Sequence, residues 1–153
     1  MDGTEAGGGR VERLRRWLLW VLVLGLAGTG AELLLLEHYE DVWQWAPLIL
    51  IGLAMAVVAW HAMRKDAASL RALRIVMVLF LVAGLAGLWL HFRGAAGFQL
   101  EIDPAMGTWE LVKRAMHAKA PPVLAPGVML QLGLIGLAYA FSNTREKKGS
   151  ETS

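Results

Sequence analysis

The sequence predicts an all-α integral membrane protein: an up-down bundle of four transmembrane helices, with a short amphipathic helix in its second outward loop. Of the 153 residues, 56% are hydrophobic and only 18% are charged, fewer than the roughly 25% usual in soluble domains. Four apolar runs, at residues 17–36, 43–63, 74–92 and 123–141, are each long enough to cross a bilayer core about 30 Å thick. Lipid requires every backbone polar group to be satisfied internally, so we expect each run to be helical.

The basic residues indicate the orientation of these spans. Eleven of the 15 precede the first run, separate the second from the third, or follow the fourth: Arg10, Arg13, Arg15, Arg16, Arg64, Lys65, Arg71, Arg74, Arg145, Lys147 and Lys148. Cytoplasmic connections carry an excess of Lys and Arg, so both termini are predicted to be cytoplasmic, in a bacterial inner membrane. This asymmetry also explains the pI of about 9.2, and we expect no nucleic-acid partner.

The transmembrane domain is predicted to occupy residues 13–144. A Gly-rich N-terminal tail, residues 1–12, precedes it and is predicted to be disordered, and a cytoplasmic C-terminal tail, residues 145–153, follows it. The alternative for the first run is a cleaved signal peptide, because Thr29-Gly30-Ala31 suits a small-residue cleavage site. The connections after the first and second spans are short, so consecutive helices are predicted to be antiparallel neighbours.

The longest connection is the second outward loop, residues 93–120. Within it, residues 98–102 alternate apolar and polar side chains, which predicts an extended segment. Asp103-Pro104 then predicts a helix N-cap with proline at the first helical position. Apolar residues follow at helical spacing, and we expect them on one face of a helix that lies in the outer interface or packs as a lid: Trp109, Val112 and Met116.

Small residues and tryptophans also recur in the spans. Three pairs of small residues are spaced four apart and allow close helix approach, within the bundle or across a dimer face: Ala83 with Gly87, Gly52 with Ala56, and Gly136 with Ala140. Tryptophans cluster at the predicted membrane boundaries, as an aromatic belt would: Trp17, Trp20, Trp43, Trp45, Trp60 and Trp89.

Glu32 is the acidic residue inside the first span, five residues before Glu37 and therefore roughly 7–8 Å below the helix end. An ionisable group at this depth is costly unless it faces protein or water. One interpretation is a buried acid that transfers protons or hydrogen-bonds another helix. The other is a side chain that reaches the outer headgroups or only joins two helices.

The outward face also carries candidate metal ligands. We select His38, His91, Glu37, Asp41 and His117, because a divalent ion needs three or four nitrogen or oxygen ligands converging from such elements. No His-x-x-x-His or His-Glu-x-x-His spacing occurs, so no cofactor is expected and a divalent metal is the alternative. A haem shared by His61 and His91 is excluded, because the two lie at opposite ends of their spans, whereas His38 and His91 could share a haem only at the surface. The absence of cysteine excludes disulfides and thiolate sites.

No Ser/His/Asp grouping predicts catalysis, since all four serines fall on the inward side. The outward carboxylates Glu37 and Asp41, four residues apart, are a possible acid–base pair, but like charges on adjacent turns are more often a solvated helix end. The sequence therefore favours a non-enzymatic accessory or interaction subunit, whose partners are the bilayer and either another copy of itself or another membrane protein. The first alternative is an outward-facing divalent-metal-binding or redox-accessory protein that uses the residues selected above. The second is a small transporter with Glu32 as its proton or ion site, which would have to be oligomeric because four spans are few for a pathway.

Overall fold

A computed structural model describes residues 3–37, 42–117 and 124–150, with side chains placed at residues 8–37, 42, 44–117 and 126–142. The described chain contains helices and turns and no strand, which confirms the all-α class for this part of the protein. The helices are α1 (Gly3–Leu35), α2 (Trp45–Arg64), α3 (Ala67–Ile102), α4 (Thr108–Met116) and α5 (Leu124–Ser150). A short 3₁₀ turn, Val42–Gln44, leads into α2.

Three of these helices are long and apolar enough to cross a membrane: α1 from Gly8 onward, α2 and α3. They indicate a helical membrane protein. The apolar part of α5, Pro126–Ser142, is shorter. Residue 123, where we predicted the fourth span to begin, lies outside the described residues. The fourth span therefore stays a prediction.

The long helices pack around one apolar core. The α3 helix contacts α2 and α5, and α1 also contacts α2 and α5. Each of α1 and α3 contributes fully buried side chains, among them Leu22, Leu26, Leu73 and Phe80. Gly84 of α3 lies against Leu130 of α5. Gly133 follows Leu130 in α5, but it lies against Leu81, which precedes Gly84 in α3. The two helices therefore run in opposite directions.

Glycines bring α3 and α5 unusually close together. A Cβ atom on Gly84 would lie 2.9 Å from the Pro126 carbonyl oxygen, and one on Gly133 would lie 2.9 Å from the Met77 carbonyl oxygen. Each helix thus presents a glycine to the backbone of the other, which small residues in membrane helices permit. By contrast, a Cβ on Gly52 would meet nothing within 4 Å, so this glycine and its exposed partner Ala56 face away from the bundle.

Three sequence predictions differ from the observed helices. The α1 helix begins at Gly3, inside the tail that we predicted to be disordered through residue 12. The Glu12–Arg15 pair, 3.2 Å apart, favours the helix at the end of this tail, whereas the four glycines before it do not. The extended segment predicted for residues 98–102 is wrong, because α3 continues to Ile102. Alternation over five residues is too short a pattern to outweigh the packing of this helix against α4.

The predicted N-cap at Asp103 is also wrong. Asp103 is the C-cap residue of α3, and its carboxylate accepts a hydrogen bond of 3.1 Å from the backbone N–H of Ala105, so it shapes the turn that follows. The short helix of the predicted loop does form, as α4, but it begins at Thr108 with Gly107 as its N-cap residue. From the sequence alone, an aspartate at position 103 is compatible with a helix N-cap and with a turn, since aspartate favours both.

Candidate functional site

Several described polar side chains lie close together at the end of the bundle where α2 meets α3. Two residues make this turn. Lys65 adopts the left-handed conformation, with φ 49°, and its backbone N–H donates to the His61 carbonyl oxygen at 2.9 Å. Asp66 then caps α3, because its carboxylate accepts a hydrogen bond of 2.8 Å from the backbone N–H of Ser69. The turn therefore brings His61 and Ser69 face to face.

His61 and Ser69 form a buried hydrogen bond. The His61 Nδ1 and Ser69 Oγ atoms are 2.9 Å apart, and the two residues are 2% and 0% exposed. The Ser69 hydroxyl donates its proton to the Asp66 carbonyl oxygen at 3.0 Å. Because a serine has one hydroxyl proton, His61 Nδ1 must be the donor in the His61–Ser69 bond. A hydroxyl with this partner, closed to solvent, is not arranged as a nucleophile.

Helices α1 and α5 complete the cluster. Tyr139 of α5 is buried, and its ring meets the His61 ring edge to face, with centroids 5.9 Å apart and an interplanar angle of 82°. The Arg15 guanidinium carbon lies 5.8 Å from the centre of the Tyr139 ring, within range of a cation–π contact. Glu12, one turn before Arg15 on α1, accepts a hydrogen bond of 3.2 Å from it.

A second arginine joins α3 to α5 nearby. Arg74 Nη2 donates to the Ala140 carbonyl oxygen at 3.0 Å, and its guanidinium carbon lies 5.0 Å from the centre of the Phe141 ring. Arg15, His61, Asp66, Ser69, Arg74 and Tyr139, here called the polar cluster, thus draw side chains from α1, α2, α3, α5 and the α2–α3 turn. Their contacts hold one end of the bundle together.

Asp66 is the acidic member of the polar cluster. The backbone N–H of Ser69 stabilises its carboxylate and lowers its pKa, and the Arg64 guanidinium, 3.8 Å away, acts in the same direction. Asp66 is therefore ionised at neutral pH. Its charge interacts favourably with the N-terminal end of α3.

The structure places Glu32 on the outside of α1. Its side chain is exposed, and it shares a helix face with Gly28 and Leu35, four residues before it and three after it. Leu35 is exposed, and a Cβ on Gly28 would meet nothing within 4 Å. This face points away from the other helices. Among the described residues, the Glu32 side chain makes no hydrogen bond to another helix, as one interpretation of this acid would require.

The candidate metal ligands are described only in part. His38 and Asp41 lie outside the described residues, so their relation to the others stays a prediction. Glu37, His91 and His117 are exposed, and His117 Nδ1 is 2.8 Å from the Lys113 carbonyl oxygen. Within residues 3–37, 42–117 and 124–150, no three His, Asp or Glu side chains are grouped so as to hold a metal ion.

Sequence reasoning missed the polar cluster because it examined the outward face. His61 entered only as an excluded haem ligand, and Ser69 only as an inward serine. One local signal was present: Asp66, three residues before Ser69 and just ahead of an apolar run, is a capping pattern. Nothing local, however, indicates that Tyr139 approaches His61, because that contact depends on how α5 packs.

The second notable surface is the end of α3 together with α4, residues 93–117, here called the projection. Ala96 of α3 and Ala115 of α4 are buried, and the two helices pack against each other. The packed side of α4 also includes the half-buried Leu111, whereas Trp109 is 79% exposed. The face on which we expected Trp109, Val112 and Met116 to lie together is therefore turned partly outward. Glu110 and Arg114 form an ion pair of 2.8 Å on the surface, which lowers the pKa of Glu110.

Comparison of the chain with protein-family models, with curated protein sequences and with solved structures finds no match. The function is therefore inferred from the geometry of the chain itself. Members of the polar cluster contact one another and the backbone of neighbouring helices. This arrangement stabilises a bundle, and it leaves no activated nucleophile among the residues that form it.

Proposed function

We propose that this protein is a non-enzymatic accessory or interaction subunit of a bacterial inner membrane. In this proposal α1, α2, α3 and α5 are the four spans of an up-down bundle, and both termini are cytoplasmic. The bundle supports the projection, which lies on the side of the membrane opposite the termini and contacts another integral membrane protein. The observation that carries the proposal is the projection itself, a packed helical hairpin with a large apolar side chain, Trp109, turned away from the protein.

The length of α3 supports this role. Its uncharged run ends at Phe92, and ten further helical residues extend it by about 15 Å. Three large apolar side chains in this extension are also exposed: Phe98, Leu100 and Ile102. Aromatic and aliphatic side chains on a rigid element are the usual anchors of a protein interface. The packing of α4 against α3 holds Trp109 in place before a partner binds, which reduces the entropy lost on binding.

Photocrosslinking in intact cells tests the proposal. A photoreactive amino acid at position 109 of the full-length protein is expected to give one discrete adduct with a second membrane protein. The matched control places it at Leu24, which is exposed on α1 within the apolar run and is expected to yield no discrete protein adduct. An adduct with twice the mass of the chain would identify a second copy as the partner. No adduct from position 109 would contradict the proposal.

A substitution pair tests whether the contact is needed. Trp109→Ala is expected to abolish co-purification of the crosslinked partner, because it removes the exposed anchor while leaving the packed side of α4 intact. Trp89→Ala is the control, because Trp89 is similarly exposed but lies inside the uncharged run of α3. Equal co-purification of the partner by both variants would place the interface elsewhere.

A further inference from the structure

The N-terminal part of α1 carries a second surface, independent of the proposed accessory role. An open groove is lined by Arg13, Arg16, Trp17 and Trp20. These residues follow the spacing i, i+3, i+4 and i+7, so they share one face of the helix. All four are exposed, and the two indoles are more than 60% exposed, at 65% and 62%. The groove therefore faces away from the bundle.

The rotation of α1 separates its arginines into two kinds. Arg15 lies about 200° around the helix from Arg13, on the side of the buried Leu22, and its guanidinium packs over Tyr139. Glu12, the nearest acid in sequence, hydrogen-bonds Arg15. Within the described residues, no acidic side chain pairs with Arg13 or Arg16. The groove thus presents two positive charges that no described acidic side chain neutralises.

We infer that this groove binds the headgroup of an anionic phospholipid. The order of its residues along α1 matches the order of groups in such a lipid. Arg13 and Arg16 lie before the apolar run and would contact the phosphate. Trp17 and Trp20 begin the apolar run, at the level where indoles favour the interface. Leu24, exposed on the same face one turn deeper, would lie against the acyl chains.

Native mass spectrometry of the detergent-solubilised full-length protein tests this inference, with phosphatidylglycerol and phosphatidylcholine of identical acyl chains as probes. The wild-type protein is expected to bind phosphatidylglycerol more tightly. Combining Arg13→Gln with Arg16→Gln is expected to weaken phosphatidylglycerol binding roughly 30-fold, the change that corresponds to about 1 kcal/mol at each arginine. Phosphatidylcholine binding is expected to stay unchanged.

The control combines Lys65→Gln with Arg71→Gln. It removes the same charge from two exposed residues of the same predicted side, away from the groove. This variant is expected to keep the wild-type affinity for phosphatidylglycerol. An equal loss in both double variants, or equal binding of the two lipids by the wild-type protein, would overturn the inference. If the arginine pair fails to fold, Arg16→Gln alone is expected to give about a fivefold loss.

Two further arms separate a lipid from a free phosphate. Glycerol 3-phosphate, offered at the concentration of phosphatidylglycerol, is expected not to displace the lipid, because it lacks the chains that reach Trp20 and Leu24. Displacement at equal concentration would show a soluble phosphate site and would overturn the assignment to lipid. Combining Trp17→Leu with Trp20→Leu is expected to weaken phosphatidylglycerol binding, whereas Trp60→Leu, at the predicted inner end of α2, is expected to leave it unchanged.

Discussion

Replacing Gly133 with alanine perturbs the point at which α5 comes closest to α3. The added methyl group would lie 2.9 Å from the Met77 carbonyl oxygen and 2.8 Å from a side-chain methyl of Leu81. The carbonyl belongs to a helix backbone and cannot rotate away, so the helices must separate. Overpacking of this kind costs about 1–3 kcal/mol. The higher helix propensity of alanine returns at most about 1 kcal/mol.

The matched control is Gly28→Ala, on the open face of α1. A Cβ there meets nothing within 4 Å, so this variant gains helix propensity without a clash. The difference between the two variants isolates the cost of the clash, and we expect it to be about 1–3 kcal/mol. The measurement is the free energy of unfolding of the full-length protein, from titration of detergent micelles with a denaturing detergent followed by circular dichroism. Equal free energies for the two variants would refute the α3–α5 packing described here.

Three further predictions concern the polar cluster and the outward face. Ser69→Ala leaves the buried Nδ1–H of His61 without its partner, so we expect the free energy of unfolding to fall by about 1–3 kcal/mol in the same titration. The pKa of Asp66 is lowered in the folded protein, so its contribution to stability is present above its ordinary pKa of 3.8 and is lost as the pH falls through the lowered value. Below pH 3.8, the thermal midpoint of Asp66→Asn should therefore depend less on pH than that of the wild-type protein. The same pH dependence in both proteins would contradict the capping role. His91 is exposed, so His91→Ala should leave the yield of folded protein unchanged. Elemental analysis and an absorption spectrum are measured on the wild-type protein and on this variant. Metal that is bound to the wild-type protein and lost in the variant would support the metal alternative.

The sequence predicts α2 well because its signal is local. The predicted span, residues 43–63, nearly coincides with Trp45–Arg64, since a long apolar run without charge has few other solutions in lipid. The far end of α3 is different. Gly94 and Gly97 resemble the start of a loop, yet the helix continues through them to Ile102, because packing against α4 outweighs a weak intrinsic preference.

The polar cluster marks the limit of local reasoning. The capping of α3 by Asp66 can be derived from neighbouring residues, and the contact of His61 with Ser69 then follows from a two-residue turn. The approach of Tyr139 and Arg15 cannot be derived in this way. It depends on the rotation of α1 and α5 about their own axes, which the packing of many apolar side chains decides together.

That rotation links the polar cluster to the lipid groove. Arg15 lies between Arg13 and Arg16 in sequence, and counting charges treats the three alike as signs of a cytoplasmic terminus. In the folded protein, Arg15 lies over the Tyr139 ring, on the side of α1 that packs against the bundle. Because the helix is rigid over one turn, the rotation that places Arg15 there also turns Arg13 and Arg16 outward. One arginine therefore stabilises the fold, and its neighbours are left to bind an anion at the membrane surface.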